Sequence, residues 1–69
     1  MSNKTIPFYL RLRILRIKDG LTQDKLAELT GIPTHTISEY ETSKHTPTLK
    51  NLEKLCEALN VTATKLLGF

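Results

Sequence analysis

Tryptophan is absent from this 69-residue chain, and two tyrosines and two phenylalanines bring aromatics to only 6%. Leucine and isoleucine must therefore fill any core. The single cysteine, Cys56, excludes an intramolecular disulfide and a cysteine-rich zinc site. It reads as a small core hydrophobe rather than a nucleophile. Arg or Lys interrupts every apolar run, so no signal peptide or membrane span is legible and the cytosol is the default location. Clustered carboxylates, a glycine-rich phosphate loop and metal-ligand spacing are all missing, which argues against an enzyme. No catalytic residue, cofactor, metal or small-molecule ligand is expected. Repeats, low-complexity tracts and internal linkers are missing too, so residues 1–69 read as one domain with one small core.

What is present is a mildly basic chain of net charge +3 and pI near 9.3, consistent with a polyanionic partner. Its centre is Thr22 to Glu41, TQDKLAELTGIPTHTISEYE. Ala27 sits mid-helix, where a small side chain lets a second helix approach. Gly31 follows where a chain leaving a helix turns most easily through positive φ. Ile37 is then placed to bury between the two helices. Small residue, glycine and branched apolar residue at these separations mark a helix-turn-helix, whose second helix enters the DNA major groove. A plain helical hairpin in another small bundle is the competing interpretation.

Around this centre the chain reads as five short helices. Residues 1–6 form a flexible arm, with Lys4 in a solvated tail. A first helix runs from about Pro7 to Lys18 and ends at Asp19-Gly20. It carries two apolar stripes, Phe8, Leu12 and Leu15 on one side and Leu10, Ile14 and Ile17 nearly opposite. Either the domain sandwiches this helix, the favoured arrangement, or another chain covers part of it. Arg11 and Arg13 lie between the stripes and should point outward.

Thr22 caps the second helix, with Asp24 in its first turn. Leu26, Ala27 and Leu29 supply its buried side, while Lys25 and Glu28 face water. Gln23, at the same helix start, either grips a phosphate or is an exposed residue of no consequence. Pro33 or Thr34 opens the third helix, from which Ile37 and Tyr40 face inward. Thr34, His35, Ser38 and Glu39 lie on its other faces. His35 suits guanine N7 or O6, Thr34 offers a hydroxyl and a methyl, and Glu39 accepts from cytosine N4. The loop from Thr42 to Pro47 carries Lys44 and His45 as its cations. Thr48 caps a fourth helix from Leu49 to about Leu59, whose Leu49, Leu52, Leu55, Cys56 and Leu59 form a core stripe. Lys50 and Asn51 sit at its first turn, a possible phosphate site. Asn60 ends it, Thr62 caps a last helix over Ala63–Leu67, and Gly68-Phe69 follow. Leu10, Ile14, Ile17, Leu66 and Phe69 together predict a homodimer.

Leu15-Arg16, Gly20-Leu21-Thr22-Gln23, Leu26-Ala27, Gly31-Ile32, Thr36-Ile37-Ser38, Glu41, Pro47, Leu49 through Leu59 and Asn60-Val61-Thr62 resemble the phage repressor and Cro-type helix-turn-helix family, also called the xenobiotic-response-element family. The resemblance covers nearly everything from Leu12 to Leu67. It implies an all-α, compact five-helix, lambda-repressor-like bundle that binds double-stranded DNA as a bacterial or phage regulator of transcription, as a repressor and usually as a dimer on palindromic operators. It places Thr34, His35 and Glu39 at base-reading positions, and Ser38 on the same helix is expected to read with them. It places Gln23, Thr36 and Lys44 at or near phosphate positions, with Gln23 also bracing the first reading side chain, and the first-turn Lys50 and Asn51 are expected to join them. Arg16 and Glu41 match an internal ion pair. Ser43 departs from the glycine usual after the recognition helix, and Pro33 from the usual capping Ser or Thr. The alternative within the same fold is a protein-interaction module, such as an antitoxin-like subunit.

Overall fold

Each helix is bounded by individual side chains. The computed structural model describes residues 6–68, which form α1 (Phe8–Lys18), α2 (Gln23–Thr30), α3 (Thr34–Glu41), α4 (Leu49–Leu59) and α5 (Ala63–Leu67), with no strand among them. The arm over 1–5 and Phe69 lie outside the described residues. Three threonines act as caps: the Oγ1 of Thr22, Thr48 and Thr62 accepts from the backbone N–H of Lys25, Asn51 and Lys65, at 3.0, 3.1 and 3.0 Å. Each bond satisfies a donor that the first helical turn would leave without a partner. α3 starts without such help. Pro33 holds the N-cap position with no side-chain cap bond, so Thr34 is the first helical residue. That settles the boundary left open between them.

Every described helix is followed by a left-handed residue: Gly20, Gly31, Ser43, Asn60 and Gly68. At Gly31, φ is 79° and its N–H donates to the Ala27 carbonyl at 2.7 Å. A Cβ there would meet nothing within 4 Å, so glycine is required by the backbone angle and not by space. After α3 the same turn is made by a serine. The Ser43 N–H donates to the Tyr40 carbonyl and the Lys44 N–H to the Glu39 carbonyl, the paired bonds of a Schellman ending, with Ser43 at φ 66°. The loop is thus not reshaped around the missing glycine. Serine takes the strained angle instead.

Leu12, Leu26, Ile32, Ile37, Tyr40, Leu55, Leu59 and Leu66 form the core, one or two from each element. Thr30 is buried with them because its hydroxyl closes the turn between α2 and α3. It donates to the Leu26 carbonyl at 2.8 Å and accepts from the Ile32 N–H at 3.1 Å. Four expectations fail here. α1 is not sandwiched: Leu12 is buried, while Leu10, Ile14 and Ile17 are exposed. Leu29 and Leu49 are 52% and 72% exposed and lie outside the core, because no neighbouring helix reaches those edges of α2 and α4. Arg11 does not point freely outward. Its guanidinium donates to the Ile6 carbonyl at 2.9 Å and the Lys65 carbonyl at 3.4 Å, tying the residues before α1 to α5. Leu66 is fully buried against α1 and cannot belong to an exposed dimer patch.

The expected ion pair is present. Arg16 Nε and Nη2 donate to Glu41 Oε2 and Oε1 at 2.6 and 2.9 Å, a two-pronged contact from α1 to the last residue of α3. The remaining nitrogen, Nη1, donates to the Leu21 carbonyl at 2.7 Å, and the Gln23 amide donates to Glu41 Oε1 at 3.1 Å. Only 11% of the Arg16 and 3% of the Glu41 side chain is exposed. The hydrogen bonds that Arg16 donates to Glu41 outweigh the cost of burial and hold the Arg16 pKa above its already high value. The guanidinium therefore stays charged at any pH the fold tolerates.

Glu41→Gln is expected to cost about 3–5 kcal/mol in urea unfolding, because it leaves a buried guanidinium without its counter-charge. The double replacement Arg16→Met with Glu41→Leu should recover most of that loss; if it is no more stable than Glu41→Gln, the cost does not come from the unpaired charge. Ser43→Gly should raise the urea midpoint, worth about 0.5–1 kcal/mol, by removing a left-handed Cβ. Burial, and secondarily the charge of Glu53, raises the Cys56 thiol pKa above its ordinary 9.0. The unfolded thiol therefore ionises first as pH rises. This contribution to stability is complete below pH 9.0 and is lost as pH climbs through the folded-state value. At pH 8, disulfide-exchange labelling of Cys56 should be slower in the native protein than in urea.

Candidate nucleic-acid interface

α3 is eight residues long and buries one side. Ile37, Tyr40 and Glu41 are buried, and at about 100° per residue they place His35 and Glu39 in the middle of the opposite, solvent-facing side. His35 is exposed and Glu39 half-buried, one helical turn apart. Thr34 and Ser38 flank them along one edge and Thr36 along the other, all half-buried. The four residues assigned to base reading therefore share one continuous strip. The face is held in place from behind by Ile37 in the core and by the Arg16–Glu41 contact at the end of the helix.

The strip carries one weak ionic contact of its own. His45 Nε2 lies 3.9 Å from Glu39 Oε1, an ion pair only when the ring is protonated. His45, assigned to the loop as a cation, is thus placed beside a reading carboxylate. The signal for this was not in residue spacing. It comes from the Schellman ending at Ser43, which folds the Lys44 N–H back to 2.9 Å from the Glu39 carbonyl and brings the next residue with it.

The assigned phosphate residues divide. Lys44 and Lys50 are exposed, on the loop after α3 and in the first turn of α4. Thr36 stands at the edge of the reading strip. Gln23 begins α2, half-buried, and its amide donates to Glu41 Oε1 at 3.1 Å rather than to a reading side chain. This makes Gln23 part of the buried polar cluster, a role outside both of the alternatives weighed from sequence. Asn51 is likewise engaged. Its backbone N–H is capped by Thr48, and its side-chain amide donates to the Tyr40 hydroxyl at 3.0 Å. That bond joins α4 to the inner side of α3, a contact that periodicity cannot reveal because it crosses from one helix to another. Among the described residues no helix is long and apolar enough to cross a membrane.

An apolar-walled turn, a helix held rigidly behind and a polar strip in front are the physical requirements of a groove-reading helix. Comparison with known proteins agrees. The helix-turn-helix family model matches residues 12–66. Among curated protein sequences none matches significantly. Among solved structures, the restriction-modification controller protein C.AhdI from Aeromonas hydrophila is 35% identical with a TM-score of 0.84, over 87% of this chain and 91% of that one. The P22 c2 repressor, solved in complex with a synthetic operator, is 32% identical with a TM-score of 0.86, over 91% of this chain and 96% of that one. The clp gene regulator ClgR from C. glutamicum is 25% identical with a TM-score of 0.79, over 86% of this chain and 77% of that one. With its turn, its core and its reading helix all inside the matched span, the chain belongs to the helix-turn-helix family of DNA-binding transcription regulators.

Proposed function

We propose that this protein is a repressor that reads the major groove of operator DNA with α3, acting in the cytoplasm as a homodimer on a palindromic site. The observation that carries this reading is the strip on α3, with His35 and Glu39 at its centre and a buried, ion-paired back. His35 and Thr34 donate to or contact base edges, Ser38 supplies a hydroxyl, and Glu39 accepts from cytosine N4. Lys44, Lys50 and Thr36 hold phosphates, and Gln23 adds its free amide hydrogen at the start of α2. Asn51 supports this set by fixing Tyr40 beneath α3. No residue is given a catalytic role. Occupying a promoter in this way blocks polymerase. The similarity to a repressor solved on an operator and to a controller protein supports that direction of control.

Dimerisation does not draw on Leu66, which is buried. It rests on operator geometry, in which two copies of one reading helix address half-sites about 34 Å apart along one face of the duplex.

Selection of bound sequences from random duplex DNA tests the reading directly. An enriched palindrome is expected, bound by two copies and weakening steeply with salt. Recovery of no preferred sequence would reject base reading, and a one-to-one complex on the selected site would reject the dimer. On that site His35→Ala is expected to narrow the gap between specific and random DNA by about 1–3 kcal/mol, while Lys44→Ala weakens both alike and lowers the salt slope by about 1. Equal losses on all sequences for both variants would overturn the division between base reader and phosphate holder.

A further inference from the structure

One face of the molecule has no part in DNA reading. Along the solvent side of α1, Leu10, Ile14 and Ile17 are 37%, 51% and 56% exposed, and Ile6 continues the row at 42%. At about 100° per residue the three helical members cluster roughly 150° from Leu12, the buried residue of the same helix. α1 packs on α3 and α5 through its Leu12 side, so the row points away from the reading helix. Three large aliphatic side chains in line at helical spacing, with a fourth just before the helix, are an uncommon thing to leave in water on a small domain. Their spacing is that of a seam into which a second helix lays its own apolar stripe.

The charges beside the row state what that helix must look like. α1 contains Arg11, Arg13, Arg16 and Lys18 and no acidic residue. Arg16 is spent on Glu41, and Arg11 donates to backbone carbonyls and meets no counter-charge among the described residues. Arg13 and Lys18 are exposed. A cleft of about 190 Å³ opens beside the row, with Ile6, Ile14 and Leu15 as its apolar floor and Arg11, Lys18 and Lys65 around it. It has room for one large apolar side chain under a ring of cations.

We propose that this face of α1 is the docking site for an amphipathic helix of a partner protein, whose apolar stripe covers Leu10, Ile14 and Ile17 and whose flanking residues are acidic. Charge argues against a second copy of this chain: α1 laid on α1 brings the exposed Arg13 and Lys18 of both copies into one seam with no carboxylate on either helix to compensate. Duplex DNA offers phosphates but no apolar surface to cover three branched side chains. A lipid surface would accept a basic amphipathic helix, but it has no use for a side-chain-sized cleft, and the exposed row holds no aromatic anchor. Because the row and the reading strip lie on different sides of the molecule, the partner helix docks without displacing DNA.

The test uses a fluorescent synthetic amphipathic peptide of about three turns, with Leu in a single stripe and Glu beside it, and a matched peptide with Lys in place of each Glu. Anisotropy titration should show saturable binding of the Glu peptide, weakened about tenfold or more by Ile14→Ser and by Lys18→Glu and reduced by added salt, and much weaker binding of the Lys peptide. Circular dichroism and thermal unfolding of both variants should match the parent, since both positions are exposed. Failure of the Glu peptide to saturate would overturn the proposal, as would equal binding of both peptides or indifference to Ile14→Ser. Sedimentation showing a dimer that Ile14→Ser dissolves would assign the face to a second copy. Binding to vesicles of phosphatidylserine and phosphatidylcholine, lost in Ile14→Ser without peptide binding, would assign it to a membrane surface. DNA selection is independent of this face, so failure of the parent protein to bind the Glu peptide while it still selects DNA rejects the docking site alone.

Discussion

The contact between Arg16 and Glu41 decides where the reading helix ends. An eight-residue helix has little stability of its own, so its direction is set by what holds its two ends and its buried side. Apolar packing of Ile37 and Tyr40 fixes which side of α3 faces in, but greasy surfaces tolerate small slides and rotations. Two charges withdrawn from water do not. The guanidinium finds three acceptor partners at once, two carboxylate oxygens and the Leu21 carbonyl, only when α1, the start of α2 and the end of α3 stand in one arrangement. Any other arrangement leaves a desolvated charge with fewer partners, which is far more costly than a displaced methyl group. Gln23 belongs to the same cluster, so the first residue of α2 and the last of α3 are held by one carboxylate. The two helices of the motif are thereby closed at the end away from the turn, while Thr30 and Gly31 close them at the turn.

Much of this architecture was legible in the residues because it rests on local chemistry. Thr22, Thr48 and Thr62 each sit where a hydroxyl reaches the N–H three residues on, and the left-handed endings at Gly20, Gly31 and Asn60 follow from residue types that tolerate positive φ. Ala27, Gly31 and Ile37 mark the motif because each meets a steric demand that other residues fail. What was not legible is long-range. A helical wheel says which residues share a side, not whether a neighbour arrives to cover it. Leu29 and Leu49 lie on apolar-looking sides that no other element reaches, and the second stripe of α1 is the same case on a larger scale. Polar side chains were mislocated for a related reason. Arg11, Gln23 and Asn51 look like surface residues in the sequence, and each is claimed by a carbonyl, carboxylate or hydroxyl from another helix, that of Lys65, Glu41 and Tyr40 respectively.

Within the candidate site, the strip of Thr34, His35, Ser38 and Glu39 followed from placing Ile37 and Tyr40 inside. The position of His45 did not, since it depends on a serine adopting an angle that its side chain disfavours. That turn matters for the reading face. A bare carboxylate at Glu39 would be repelled by the phosphates on either side of a groove, and it becomes tolerable where a base amino group or a protonated imidazole answers it. With His45 3.9 Å away, the loop that carries Lys44 also carries a group able, when protonated, to offset Glu39.

The distribution of cations explains why one copy of so small a domain is poorly equipped to hold DNA alone. The formal charge of +3 overstates what the reading side offers. Arg16 is sealed in the core, Arg11 is occupied by carbonyls, Lys25 is paired with Glu28 at 3.0 Å, and Arg13 and Lys18 stand on α1 away from the strip. The cations on the loop after α3 and in the first turn of α4 are Lys44 and Lys50, both exposed, helped by backbone and amide N–H groups that position a phosphate without releasing as many counterions as full charges do. On the proposed reading, two or three such contacts per copy would give modest affinity, whereas a second copy on a palindrome would multiply the two binding constants through a high effective concentration. Weak phosphate holding per protomer also sharpens discrimination, because less of the total affinity is available to random DNA. A short, mostly uncharged reading strip of threonine, histidine, serine and glutamate is then sufficient to select a site, provided that α3 is held rigidly enough for each hydrogen bond to count, which returns the burden to the buried pair behind it.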